Sequence, residues 1–422
     1  MTKLERSLGL LEVTLMSIGI ILGAGIYVVI GEAAGLSGNG IWLSFIIASI
    51  VALLTGLSYA ELSSRYPDAG AEYTYVEKAF GKKLAWLTGW FIIAGAVIGG
   101  ATVSIGFGNY FNALFQTPVM LTSFAVLVVS AIILIAGVKE TASVTIIITL
   151  VEAAGLITII FIGIPELGSV DYLELAKGMK GVMEAGVLIF FSYIGFETIT
   201  RLAEETKNPK RNIPKAIILS IVVTTVIYLL VGIAAVSAVP YSELAESNAP
   251  LSYIAGEVLG GEIFIVLSLI ALFSTFNTVL VMLLGASRIV YSMAEEKALP
   301  GIFEKVSEIT RTPWTACIGV VAGSMIFLLL GKLSTVANLT NLTVFAVFIL
   351  VNISVIRLRY KKPVKKGFKT PISIGRLPIL PVLGIITCFL MLINLSVFVL
   401  ALGVILTLLG FLIIHIKDKI ES

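Results

Sequence analysis

The sequence predicts an all-α membrane protein whose twelve helices cross a bilayer and pack as a single transmembrane domain over 1–422. Three observations predict it. Of the 422 residues, 58% are hydrophobic and only 13% are charged, about half of the roughly 25% charged share of a soluble domain. The apolar residues collect into runs of roughly 18 to 25, the length that crosses a hydrocarbon core. Between the runs, Lys and Arg crowd into alternate connections: 26 of 29 fall on the side that holds both termini, leaving Lys177, Lys180 and Lys332 opposite. Basic residues stay on the cytoplasmic face, so both termini are expected in the cytoplasm and the chain in the cell (plasma) membrane. Missing one run would scramble that bias, which supports the count of twelve.

The first run, near 9–31, is longer than the apolar core of a signal peptide, and eleven similar runs follow it, so it is expected to be retained. Gly23-Ala24-Gly25 interrupts its centre. The second to fifth runs lie near 41–63, 84–110, 120–138 and 143–164, and the fifth carries Glu152 at its middle. The sixth, near 181–201, is interrupted at Phe191-Ser192-Tyr193-Ile194-Gly195-Phe196-Glu197. The others lie near 215–238, 262–292, 313–331, 334–357, 377–395 and 397–415. Tyr241 to Glu246, between the seventh and eighth runs, reads as a solvated acidic connection. The basic stretch from Arg357 to Arg376 reads as a topology determinant, with anionic-lipid binding as the alternative. Cys317 and Cys388 sit in separate apolar runs and support neither a disulfide framework nor a metal site. His415 falls at the interfacial end of the last run.

The two interruptions carry the functional argument. Backbone that leaves its helix at mid-membrane has no water to bond, so it is tolerated only where it lines a cavity enclosed by protein. Paired breaks in corresponding runs point to a transporter's substrate site. The first and sixth runs are five apart, and an odd number of crossings per unit inverts the second unit. That predicts a 5+5 inverted repeat, about 9–164 and about 181–357, with two helices, about 377–415, appended. A broken helix frees N–H groups that suit an anion and C=O groups that suit an ammonium. A free amino acid presents a carboxylate and an amine two bonds apart, so two such breaks can hold its head without any charged side chain. Gly19, Gly23 and Gly25 have an alternative reading as helix-packing glycines.

Four stretches resemble the amino acid–polyamine–organocation transporters, in particular their cationic amino acid transporter branch. Residues 19–27 read GIILGAGIY, and residues 52–81 read ALLTGLSYAELSSRYPDAGAEYTYVEKAFG. Residues 191–217 read FSYIGFETITRLAEETKNPKRNIPKAI, and residues 285–300 read GASRIVYSMAEEKALP. The resemblance spans roughly 8–360, and it implies the leucine-transporter type of fold. It also implies that an amino acid carboxylate rests on backbone at Gly23, Ala24 and Gly25, and its amine on carbonyls near Ile20, Phe191, Ser192 and Ile194. Phe191, Tyr193 and Phe196 are candidate gating aromatics, with core or lipid packing as the other reading.

Ionisable residues within the runs are few. An ionised carboxylate at mid-membrane is costly, and no Lys, Arg or His lies at the depth of Glu152, so it must be protonated, bind a cation, or open onto water. Several relatives carry a lysine there; Thr149-Leu150-Val151-Glu152-Ala153-Ala154-Gly155 puts a carboxylate in its place, so lysine-based proton coupling does not carry over. A proton, a sodium ion or a neutral hydrogen-bonded acid remain open for Glu152. Ser274, Thr275 and Asn277 on the eighth run are candidate oxygen neighbours or ordinary polar packing. Glu197 is a candidate for gating or ammonium recognition, or a plain i,i+4 partner of Arg201. Glu61 and Arg65 have the same spacing and read as a structural pair.

The expected activity is secondary transport of an amino acid by alternating access, proton-coupled or by exchange. The runner-up is a polyamine or organic amine carrier. An intramembrane enzyme would need a polar catalytic cluster, and the sequence holds no HExxH and no GxSxG; a primary pump would need a phosphate-binding loop, which is also lacking. A channel would not need paired breaks suited to a zwitterion. No cofactor, metal or nucleic-acid partner is expected.

Overall fold

A computed structural model describes residues 6–67, 70–137, 142–361 and 367–421. Residues 68–69 of the second matched stretch and 362–366 of the basic run lie outside the described residues. The first apolar run forms two helices, α1 (Leu10–Leu22) and α2 (Gly25–Ser37), and the turn Gly38–Gly40 leads into α3 (Ile41–Arg65). Then come α4 (Ala71–Phe80), α5 (Lys82–Phe115), α6 (Val119–Ala136), α7 (Ala142–Gly163) and α8 (Gly178–Phe190). After two 3₁₀ segments follow α9 (Pro209–Ala238), α10 (Tyr241–Glu246), α11 (Pro250–Leu259) and α12 (Gly261–Glu295). The chain closes with α13 (Trp314–Leu328), α14 (Leu333–Lys361), a hairpin of Ser373–Ile374 with Leu377–Pro378, α15 (Ile379–Ile393) and α16 (Val397–Glu421).

Among the described residues, nine helical stretches are long and apolar enough to cross a membrane, and α1, α13 and α15 are shorter apolar helices. Helix α2 is buried along most of its length, and so is α8 from its second turn to its end. Helices α6 and α16 turn Leu121, Val128, Ile132, Val404 and Leu408 outward, the surface a multi-pass membrane protein presents to lipid. With no hydrophobic drive between helices in lipid, contact depends on small residues that let backbones approach. Gly163 is such a site, where an added Cβ would lie 2.5 Å from Ala234 Cα on α9.

Two local features refine the expectations. Tyr241–Glu246 keeps its glutamates exposed, as a solvated acidic connection should, but is wound as a short helix with Leu244 buried. It rests on α2, where a Cβ added at Gly31 would lie 2.6 Å from the Leu244 carbonyl oxygen. The second half of the sixth run is not an α-helix: Phe196–Glu204 is 3₁₀. That winding has three residues per turn, so i and i+4 no longer face one another.

Candidate functional site

The break in the first run is one residue pair wide. Helix α1 ends at Leu22, Gly23 turns at φ 4° and ψ −156°, and α2 starts at Gly25. Gly23 N–H still donates to Gly19 O at 3.0 Å, and Val28 N–H donates to Ala24 O at 3.0 Å. The N–H groups of Gly25, Ile26 and Tyr27 form the first turn of α2, which no intrahelical carbonyl can serve. Ala24 N–H, expected to be free, donates to Thr278 Oγ1 on α12 at 3.2 Å.

The second break is longer. Helix α8 ends at Phe190, Phe191–Tyr193 tightens into 3₁₀, and Ile194 is extended. Gly195 then sits at φ +128°, a region only glycine enters without strain. A Cβ on Gly195 would also lie 2.5 Å from Ile20 Cγ2 and 3.1 Å from Ile20 O. A Cβ on Gly25 would lie 2.6 Å from Ser192 Cα. The two breaks therefore touch backbone to backbone, and glycines at 25 and 195 permit it.

One cavity of about 30 Å³ opens between them, and Ile20, Gly23, Ala24, Gly25, Phe191, Ser192 and Ile194 all line it. Sequence reasoning singled out those seven and missed Ile21, Thr278 and Met282, which complete the lining. Ser192 Oγ is buried and has no hydrogen-bond partner among the described residues. Another residue that sequence reasoning missed is Tyr228 on α9. Its hydroxyl lies 2.6 Å from Ile21 O and 3.0 Å from Ser192 O, one from each break. Nothing marks Tyr228 in the sequence, because a tyrosine in an apolar helix reads as packing. Thr278 did leave a signal: it falls one turn beyond Ser274 and Thr275 on the same helix.

The other predicted residues surround this centre. Glu152, buried on α7, accepts from Ser274 Oγ at 2.7 Å, and its main-chain oxygen accepts from Tyr27 Oη at 2.9 Å. Thr275 instead donates back to Ala271 O at 2.7 Å within its own helix. Tyr193 is buried edge-on to Tyr228, ring centres 5.2 Å apart. Glu197 Oε2 accepts the Gly195 N–H at 3.0 Å and so holds the turn of the second break. Arg201 lies 3.5 Å from the buried carboxylate of Glu72 on α4, so its salt bridge is to Glu72 and not to Glu197, the i,i+4 partner offered as one of two readings. Glu61 pairs with Arg359 on α14, not with Arg65.

The breaks are packed on the α10 side, and α12 has open space nearer the termini. Toward α10, Tyr110 Oη on α5 donates to Tyr27 O at 3.2 Å, and Val28 packs against Gly106. Toward the termini, the α12 face that carries Thr278 and Met282 continues at Gly285, spaced i, i+4 and i+7. Among the described residues a Cβ built on Gly285 meets nothing beyond its own stretch of helix within 4 Å, and Arg288 and Ser292 beyond it are exposed.

Apposed helix breaks around a buried cavity, in a bundle with an apolar exterior, define a membrane transporter of small molecules. Comparison with known proteins agrees. The amino acid permease family model matches residues 8–414. The chain is 29% identical to the branched-chain amino acid permease BcaP of Bacillus subtilis, over 100% of this chain and 94% of that protein. It is 30% identical to the methylthioribose transporter of the same organism, over 92% of this chain and 87% of that protein. It is 31% identical to the vacuolar cationic amino acid transporter 4 of Arabidopsis thaliana, over 86% of this chain and 64% of that protein. The chain belongs to the amino acid permease family: it is a secondary amino acid transporter and not an enzyme.

Proposed function

We propose that the chain is a twelve-span carrier of the cell membrane, with both termini cytoplasmic, that moves a free amino acid by alternating access. The twelve runs form inverted units over about 9–164 and 181–357, with 377–415 appended. The contact between the two breaks carries this reading: Gly25 meets Ser192 backbone to backbone beside a cavity. The substrate carboxylate takes the orphan N–H groups of the first turn of α2, at the positive end of its dipole. The amine takes carbonyls at Ile20, Phe191, Ser192 or Ile194, and Ser192 Oγ supplies a further hydrogen bond. Gly23 and Ala24 keep the turn open, with Thr278 steadying Ala24. The packing on the α10 side, where Tyr110 Oη donates to Tyr27 O and Val28 meets Gly106, supports a conformation closed on that side. A 30 Å³ cavity is far smaller than the several hundred Å³ of a usual ligand site, so substrate entry requires the walls to part.

Glu152 is the coupling group, taking a proton, with Ser274 as its hydrogen-bond partner and Glu197 and Tyr193 gating the second break. The relatives' names cover branched-chain amino acids, methylthioribose and cationic amino acids, so the head-group contacts need a direct test. Counterflow in proteoliposomes should require a free α-carboxylate and α-amine. Amino acid amides and decarboxylated amines should compete at least about tenfold more weakly than parent acids, each lost charge-assisted contact being worth about 1.5–3 kcal/mol. Equal competition by an amino acid amide and its parent acid would turn the reading toward a polyamine or organic amine carrier.

A further inference from the structure

We propose, building on the assignment of the cavity as the substrate site, that the carrier selects neutral aliphatic and thioether amino acids and rejects cationic and acidic ones. Met282, seated over Gly99, sets the upper size limit. Besides the glycines and Ala24, the residues lining the cavity are Ile20, Ile21, Phe191, Ile194 and Met282, with Ser192 and Thr278 as the polar ones. Among the described residues no ionisable one lines it. The buried acids nearby are engaged elsewhere: Glu152 with Ser274, Glu197 with the Gly195 N–H, Glu72 with Arg201. A lysine or arginine side chain would arrive in this pocket with no carboxylate to meet it, and an unpaired buried charge is strongly disfavoured. An acidic side chain would equally find no cation. A thioether or branched aliphatic group loses nothing by leaving water here.

The size limit follows from the α5–α12 contact. A Cβ built on Gly99 would lie 2.5 Å from Met282 Cε, 3.3 Å from its Sδ and 3.4 Å from Thr340 Cγ2. The notch left by glycine is therefore the seat of the Met282 methyl. Methionine is unbranched and adapts its shape readily, so the wall moves only as far as that notch allows. Filling the notch pushes the methyl toward the cavity; truncating Met282 removes the wall.

The test is counterflow in proteoliposomes with alanine, valine, leucine, methionine, phenylalanine, arginine and glutamate. The native protein should exchange the four aliphatic and thioether amino acids, with arginine and glutamate lower by more than about a hundredfold. The leucine-to-alanine exchange ratio should fall about tenfold in Gly99→Ala. In Met282→Ala it should rise, and phenylalanine should become a substrate. The two variants move one ratio in opposite directions, so either one, once shown monodisperse by gel filtration, decides the size claim. Arginine exchanging as fast as leucine overturns the selectivity claim, and a ratio unmoved by a folded variant overturns the role of Met282. Exchange of no amino acid at all would instead remove the substrate-site assignment beneath both.

Discussion

At the scale of single residues, the site depends on side chains that are absent. Gly25 faces Ser192 Cα so closely that any Cβ must shift one of the two breaks. Gly25→Leu should therefore insert in the membrane and fold, yet lose transport by more than about a hundredfold, since the added side chain takes the volume of the carboxylate. Uptake at the native rate by correctly inserted Gly25→Leu would remove the first break from the site. Tyr228 makes the opposite kind of contribution, by supplying one hydroxyl to Ile21 O and Ser192 O. Tyr228→Phe leaves both buried carbonyls without that donor, a loss of about 1–3 kcal/mol. A thermal-shift assay should show a lower unfolding midpoint, and saturable counterflow a raised KM, because the carbonyls beside the cavity are no longer held in place. An unchanged midpoint and KM would make the hydroxyl dispensable. The glycines were legible in the sequence because their spacing interrupts an apolar run, and the seven residues drawn from the breaks do share one cavity. Tyr228, Thr278 and Met282 were not, because each belongs to an unbroken helix whose face toward the breaks is fixed only by packing.

At the scale of elements, the sequence conveys the runs and their interruptions but not which pairs of ends meet. The i,i+4 spacing of Glu61 and Arg65 suggested a local pair. The buried Glu61 carboxylate instead meets Arg359, 298 residues away, with Nε to Oε1 at 2.7 Å. Thr370 adds its backbone N–H to Glu61 Oε2 at 2.8 Å, and Arg359 Nη1 reaches Ser373 Oγ at 2.7 Å. The ends of α3 and α14 and the segment leading to α15 are thereby tied at one point. Removing one partner of such a pair leaves a buried charge unmatched, at about 3–5 kcal/mol. Arg359→Ala should lower the unfolding midpoint in detergent sharply, while Glu61→Gln combined with Arg359→Met should recover most of the loss. If the single variant unfolds at the native temperature, the pair is not holding these elements. A similar lesson applies to Arg201. The apolar pattern of the sixth run fits an α-helix as well as a 3₁₀ one. In the observed 3₁₀ winding, which starts from Gly195 at positive φ, the salt bridge of Arg201 is to Glu72 on α4.

At the scale of the whole molecule, alternating access requires the packing beside α10 to open while the opposite side closes. A driven carrier needs a group that binds the driving ion in only one of these states. We propose Glu152 for that role. It sits on α7, its side chain bonded to Ser274 of α12 and its main chain to Tyr27 of α2, so it joins the three helices that flank the first break. Burial of a carboxylate among apolar helices favours its neutral form, and a proton taken up there changes the bonding offered to Ser274. Glu152→Gln keeps the shape and a neutral hydrogen-bonding group but removes the titration. The variant should bind substrate and support counterflow at close to the native rate, because neither requires net proton movement. It should fail to accumulate substrate when a pH gradient, acidic outside, is imposed on proteoliposomes, whereas the native protein should concentrate it several-fold. Accumulation by Glu152→Gln equal to the native protein would place coupling at another group. Accumulation by the native protein that follows an imposed sodium gradient and ignores pH would instead make Glu152 and Ser274 oxygen ligands of a cation.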